Sequence, residues 1–466
     1  MSEWSQVTIG ECVEIKRGFA FKSSDYTNDG HFILRVSNLG EGGKVDIDDA
    51  VFLTPSKVSL FTNYQLEIGD ILLVMVGATT GKIGRVTSDV LPALLNQNLW
   101  NLKPSNDCLY KSYFYFKLRE IIDGFLSSSQ GSAREFLKQS DLTQICFNLP
   151  PLLEQKKIAR ILTTVDSLIE KTEALIEKYK TIKHGMMHDL FTRGVDQNGK
   201  LRPPYEEAPH LYKESPLGWI PKEWEAKTLN DTISPSRPIV YGILMPGYGY
   251  PGGIPVIKVK DIKNGEVQTD HLLLTSPDID NLYRRSKTLT GDLLFTIRGT
   301  VGRMAFVPEQ LEGANITQDT ARIGVVHGDP RFLRGYLTMP EPMRFVAVHT
   351  LGVAVQGINL GDVRRIPIAF PSIQEQEEIG HRTEVFERRL SCEQSHLEKL
   401  QILKKGLMHD LLTGKVRVNV DELEEELTFL TVIQTDYVSW KSRTGLVWGL
   451  SFDARITSRQ QIVMNS

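Results

Sequence analysis

Two stretches of the chain place an apolar residue at alternating steps of four and three. The first runs through Ile158, Leu162, Val165, Ile169, Ile176, Tyr179, Met186 and Leu190, and the second through Ile379, Phe386, Leu390, Leu397, Leu400, Leu407 and Leu411. Such a spacing keeps one side of a helix apolar, which is the seam of a coiled coil. Each stretch opens with a proline-bearing segment, "LPPLLEQKKI" or "FPSIQEQEEI", and about 36 residues then follow without another proline. Long helices are therefore predicted over 151–193 and 372–413. Elsewhere the pattern shortens to β-like runs, "HFILRVSNL" and "DILLVMV" early, "IPVIKVKDI" and "DLLFTI" later, broken by Gly, Pro, Asn and Asp.

The two halves are one module written twice. "GMMHDLFTRGV" from Gly185 recurs as "GLMHDLLTGKV" from Gly406, an offset of 221 residues, 409 minus 188 for the two histidines. Without a gap, that offset carries Asp141 onto Asp362, Pro150 onto Pro371, Glu154-Gln155 onto Glu375-Gln376 and Ile158 onto Ile379. Further upstream it drifts by a residue or two, yet still pairs Gly69-Asp70 with Gly291-Asp292, Arg35-Val36 with Lys258-Val259 and Glu3-Trp4 with Glu223-Trp224. A seam needs a partner of similar length, and the other copy supplies one in an antiparallel pair. The alternative is that each helix lies on its own domain.

The predicted class is α+β: two β-rich globular domains, 1–150 and 215–371, joined by two long antiparallel coiled-coil helices in a pseudo-two-fold repeat. Residues 194–214 read as a proline-bearing linker. Residues 414–466 form a tail that is either disordered or a small hairpin. At 1.5 Å per residue, 36 residues make a rod of roughly 54 Å, able to set two heads a fixed distance apart.

Composition narrows the function classes. The chain of 466 residues is 41% apolar and 24% charged, and no apolar run reaches bilayer length. Its start lacks a secretory leader, and its four cysteines are scattered, which points to a cytoplasmic protein with reduced thiols. A formal charge of −3 and a pI near 6.4 argue against gripping nucleic acid by bulk charge, and leave local basic faces open.

The repeat also tests candidate chemistry, since a group needed by both modules should occur twice. "VGATTGKIGRV" looks like a phosphate loop, but it has three residues between its glycines where four are needed, and Ile83 follows Lys82 where a magnesium-binding hydroxyl belongs. Its twin, "IRGTVGRMAFV", carries Arg303 in place of the lysine. "RPPYEE" offers Arg202 where an amino-methylating loop needs an acceptor, and arginine only donates. His184 and His188 lie one helical turn apart, but Gly185 stands where a zinc-peptidase helix has its glutamate. "MPGYGYPGG" lacks the spacing of a dinucleotide fingerprint and reads as a loop. No catalytic, cofactor-binding or metal-ligating residue is assigned, and a binding protein is favoured over an enzyme.

Taken together, "LPPLLEQKKIARIL" with "FPSIQEQEEIG", "SPLGWIPKEWE", "GDILL" with "GDLLF" and the closing "LMHDLLTGKVRV" resemble the specificity (S) subunit of type I DNA restriction-modification enzymes, over residues 1 to about 418. The resemblance implies a non-catalytic adaptor. Its two target-recognition domains would each read half of a bipartite double-stranded DNA site, while the helices set the gap and dock two modification subunits. Those partners would carry S-adenosylmethionine and methylate adenine, and two restriction subunits would use ATP and magnesium to translocate and cut. Related methyltransferase-nuclease systems, or a coiled-coil scaffold for proteins alone, are the alternatives. Candidate DNA contacts are Arg35, Ser37 and Asn38, then Lys258, Lys260 and Asp261, after matching strands. Lys82 and Arg303 could reach phosphate. The turn before the final strand adds Ser132 and Arg134 in copy one, and Gln356 and Asn359 in copy two.

Overall fold

The computed structural model describes residues 3–128, 138–324, 328–352 and 356–420. The candidates Ser132 and Arg134, and most of the tail, lie outside the described residues. The chain divides into two compact units, Met1–Leu168 with Leu400–Ser466, and Ile169–Lys399. No helix among the described residues is long and apolar enough to cross a membrane.

In the first unit an antiparallel sheet has the order Val13–Arg17, Leu99–Pro104, Ile71–Val74, Ile83–Arg85. All four residues of Ile71–Val74 are buried, so that strand reads as a continuous apolar run rather than an alternating one. A second sheet has the order Tyr26–Thr27, Phe52–Leu53, His31–Leu34, Ala93–Leu95, its last pair parallel. Phe32 and Leu34 of this sheet share a core with Leu72, Val74 and Leu99 of the first. On the other side Ile71, Leu73 and Leu102 pack with Tyr113, Phe114 and Leu118 of the helix Lys111–Ser128.

The second unit repeats this topology. Val240–Tyr241, Thr320–Ile323, Leu293–Thr296 and Met304–Phe306 follow the same order, and Ile254–Ile257 again has one parallel neighbour, Asn315–Ile316. The helical segment after the sheet differs. It is split into Pro330–Leu337 and Pro340–His349, because a proline without an N–H cannot continue the preceding turn.

The proline-bearing linker 194–214 is tied to the residues that follow it. Tyr212–Ser215 pairs with Gly218–Pro221, Tyr205 stacks on Trp219 with ring centroids 4.5 Å apart, and the Tyr212 hydroxyl donates to the Pro203 carbonyl at 2.6 Å.

The helices are Leu152–Thr192, 41 residues, and Ile373–Leu412, 40 residues. Each is divided between the two units, the first after Leu168 and the second after Lys399. In the first unit Ile158 and Leu162 share a core with Leu411 and Leu412, and Lys404 pairs with Asp166 at 2.5 Å. In the second unit Leu190 and Phe191 share a core with Ile379, and Lys183 pairs with Glu387 at 2.9 Å. The start of one helix thus meets the end of the other in each unit, an antiparallel match. The ion pairs are themselves twins, because 183 and 404, like 166 and 387, differ by the repeat offset. Ile158, Leu162, Val165, Ile176, Leu190, Ile379, Leu400 and Leu411 of the seam are buried; Ile169, Tyr179, Met186, Phe386, Leu390, Leu397 and Leu407 are half-buried. Buried Thr172 and Glu393 interrupt the apolar run, the latter paired with Arg389 at 3.1 Å.

A Cβ at Gly18 would fall 1.8 Å from the Asn96 carbonyl oxygen, and one at Gly242 1.9 Å from that of Ile316. Backbone, not a movable side chain, blocks both. Gly18→Ala and Gly242→Ala are each expected to lower stability by about 1–3 kcal/mol, measured by chemical denaturation. Wild-type midpoints for both would show that the backbone there yields freely.

Candidate nucleic-acid interface

In each unit the strand with the parallel neighbour, His31–Leu34 or Ile254–Ile257, runs into a one-turn 3-10 helix, Val36–Asn38 or Val259–Asp261. A short acceptor closes it: Asn38 Oδ1 accepts from the Arg35 N–H at 3.0 Å, and Asp261 Oδ2 from the Lys258 N–H at 2.9 Å. Both side chains are buried, and Asn38 also donates to the Asp46 carbonyl at 3.1 Å. Two of the expected DNA contacts are therefore corrected, since Asn38 and Asp261 build the turn and do not reach its surface. Arg35 is turned onto Asp49, whose carboxylate lies 2.9 Å away. Ser37 and Lys260 are exposed, and Lys258 is half-buried.

The glycine stretch joins strand to strand, Ile71–Val74 to Ile83–Arg85, and its twin joins Leu293–Thr296 to Met304–Phe306. A nucleotide loop would lead into a helix N-terminus, so the hairpin has another use. Lys82 donates to the Leu39 carbonyl and Arg303, at 3.4 Å, to that of Ile262, the residues directly after the twin 3-10 turns. The twin cations tie hairpin to turn, loosely in the second unit.

A third loop joins them. The Met75 N–H donates to the Asn98 carbonyl at 3.0 Å; the N–H groups of Ile297 and Arg298 donate to that of Asp319 at 2.8 and 3.2 Å. The Gly299 N–H donates to the carbonyl of exposed Gln356 at 2.9 Å. Asn359 instead caps the short helix Leu360–Arg364, accepting from the Asp362 N–H at 2.9 Å. Each unit thus gathers its loops into one rim.

The rims share a frame and differ in chemistry. In the first unit a groove is lined by Arg17, Asn98, Trp100, Lys138 and Gln139. There the Arg17 guanidinium lies 5.8 Å from the Trp100 ring centroid and donates to Gln139 at 2.8 Å. None of these five was expected from sequence, because they come from three separated segments. Strand register puts Tyr241 in the place of Arg17 and Ala321 in that of Trp100. Exposed Arg298 flanks the second hairpin.

Twin clamps fix the units to the helices. Glu154 accepts from Arg417 and, at 3.2 Å, from the Trp4 indole. Burial pushes this carboxyl up, but the bonds from Arg417 and Trp4, with the positive charges of Arg417 and the chain's amino end, hold it below the usual carboxylate range. Its twin Glu375 accepts from both ends of Arg202 and, at 2.8 Å, from the Val195 N–H. Arg202 and Arg417 stand in matching "GKLR" and "GKVR" segments. The following glutamines brace the turns: Gln155 accepts from the Tyr110 N–H at 2.7 Å and donates to the Pro150 carbonyl, and Gln376 accepts from the Asp329 N–H at 3.0 Å and donates to the Pro371 carbonyl. The repeated Glu-Gln and Gly-Lys-x-Arg were visible signals without an assigned task. His184 and His188 are exposed on their helix.

Comparison with known proteins agrees with this duplication. The family model described as the type I restriction modification DNA specificity domain matches twice, over residues 1–180 and 221–401. The type I restriction enzyme EcoBI specificity subunit of Escherichia coli is 30% identical over 389 residues, 82% of this chain and 78% of the relative. The MjaVIII specificity subunit of Methanocaldococcus jannaschii is 26% identical over 377 residues, 78% and 83% of the two chains. In fold the chain is similar to the crystal structure of a type I restriction-modification system S subunit from M. genitalium. The TM-score is 0.54 at 16% identity, over 88% of this chain and 96% of that one.

Proposed function

Because the chain belongs to the type I restriction-modification DNA specificity family, we propose that it is the sequence-reading subunit of such a complex, each rim reading one half of a bipartite double-stranded DNA site. The observation that carries this reading is the twin rim. One backbone frame holds Arg17 in one unit and Tyr241 in the other, Lys82 in one and Arg303 in the other. Two different half-sites require a common frame with different side chains. In this proposal Ser37, Lys82, Lys258, Lys260, Arg303 and Gln356 lie at or beside DNA. The helices set the unread gap and dock two methyltransferase subunits; two restriction subunits complete the assembly. S-adenosylmethionine, ATP and magnesium belong to those partners, and the chain transfers no methyl group by itself. It acts in the cytoplasm, where its DNA is.

The test is a binding selection. The chain assembled with methyltransferase subunits is incubated with duplexes carrying a randomised core, and bound duplexes are sequenced. A two-part consensus with a fixed gap is expected, together with no methyl transfer from S-adenosylmethionine by the chain alone. Absence of any sequence preference would favour a protein scaffold, and methylation by the isolated chain would make it an enzyme.

A further inference from the structure

Five large apolar side chains are exposed within ten residues of the second unit: Tyr241, Leu244, Met245, Tyr248 and Tyr250. Tyr248 is fully exposed and Met245 78% exposed. A clustered apolar patch of this kind marks an interaction surface. The fold does not require it. The equivalent loop of the first unit is fixed by the same bond, the Gln97 N–H donating to the Phe19 carbonyl as the Gln318 N–H does to that of Ile243. Yet there the aromatics turn inward, Phe19 and Phe21 packing with Phe61 at centroid distances of 4.9 and 5.1 Å.

The second-unit loop is held at both ends. With its amide assigned so that the nitrogen faces them, as two carbonyl neighbours require, the Gln318 side chain donates to the carbonyls of Ile243 and Leu244 at 2.7 and 3.0 Å. At the other end the Tyr250 N–H donates to the Leu274 carbonyl at 2.9 Å. Asp319, directly after Gln318, accepts through its carbonyl from the N–H of exposed Arg298, so this end of the loop is anchored beside the rim. From Tyr241 to Gly253 the sequence has no acidic residue, and the strand that follows leads to exposed Lys260. The tip lies against Ile279 of the helix Pro277–Leu282, which carries exposed Asp278, while exposed Arg298 and Lys260 stand on the segments that anchor and follow the loop; an apolar tip with cations on its supporting segments complements a groove whose walls are phosphate.

The geometry points to this loop as a DNA contact of the second unit alone: Met245 and Tyr248 pack against base edges and sugars in a groove of its half-site, with Arg298 and Lys260 toward phosphate. This rests on the reading of the rims as DNA-binding. Tyrosine suits the task, with an apolar ring and a hydroxyl that stays hydrogen-bonded in a wet groove.

The experiment uses the complex of the full chain with methyltransferase subunits. The duplex selected by the wild type is the probe, and Tyr248→Ala, Met245→Ala and their combination are compared on it. We expect the combination to bind roughly tenfold more weakly, and repeated selection to lose consensus in one half of the site while the other half is kept. Tyr248→Phe should retain most of the affinity. Unchanged binding and an unchanged consensus from an assembled complex would overturn the inference and leave the DNA-reading function standing. Failure of the variants to assemble with methyltransferase subunits would overturn it in favour of a protein-docking patch. If the wild type selects no consensus, the DNA-reading function itself falls.

Discussion

Arg202→Ala lowers the stability of the second unit by about 3–5 kcal/mol, read as an earlier transition in chemical denaturation. The reason is the environment of its partner. The side chains of Arg202 and Glu375 are only 10% and 8% exposed, and the guanidinium covers both carboxylate oxygens. Removing the arginine leaves a buried carboxylate with the Val195 N–H and little water to share its charge. Replacing both, Arg202→Met with Glu375→Met, is expected to recover part of the loss, because no charge is then stranded. Arg417→Ala should cost less, since Arg417 is 28% exposed and the Trp4 indole still donates to Glu154. A single Arg202 variant that unfolds with the wild type would show that water reaches Glu375 freely.

Seven residues added to both long helices, after Thr172 and after Glu398, are expected to lengthen the unread gap of the DNA site by about three base pairs and leave both half-sites unchanged. Seven residues keep the apolar seam in phase and add about 10.5 Å of helix, against roughly 3.4 Å per base pair. Both helices must change together. The pairs Lys183–Glu387 and Lys404–Asp166 lie 17 residues apart on either helix, 183 minus 166 and 404 minus 387, so a one-sided insertion puts one pair out of register. Sequencing of methylated adenines in cells carrying the altered subunit reads the gap directly. Altered half-sites with the old gap would count against helices that act as a spacer.

The repeat and the helical period made much of this architecture legible in the sequence, because both are local patterns that survive without knowledge of contacts. The seam residues from Ile158 to Leu411 fall on buried or half-buried positions, interrupted by Thr172 and Glu393. Division of the helices between units was not legible, because it depends on which residues far apart in the chain share a core. Site residues fared less well for the same reason. In the sequence Asn38 and Asp261 are polar groups after a strand, and only their burial reveals that they close the turn. Arg17, Trp100 and Gln139 meet from three segments. Nothing local in "RPPYEE" marks Arg202 as half of an ion pair, because its partner stands 173 residues away.

The clamps also set an order of events during synthesis. Everything that closes the second unit, including Arg202 and Glu375, lies within the continuous stretch Ile169–Lys399. The first unit, although its strands emerge earlier, waits for Leu411, Leu412 and Arg417, the last of these 263 positions beyond Glu154. Its closure is the more non-local, and contacts of long sequence separation form slowly. A chain that has emerged from the ribosome as far as Lys399 therefore has all the residues of its later half, while Ile158 and Leu162 of the earlier half still lack the helix end that buries them. Such an exposed apolar face on a nascent chain is where chaperones bind and aggregation starts.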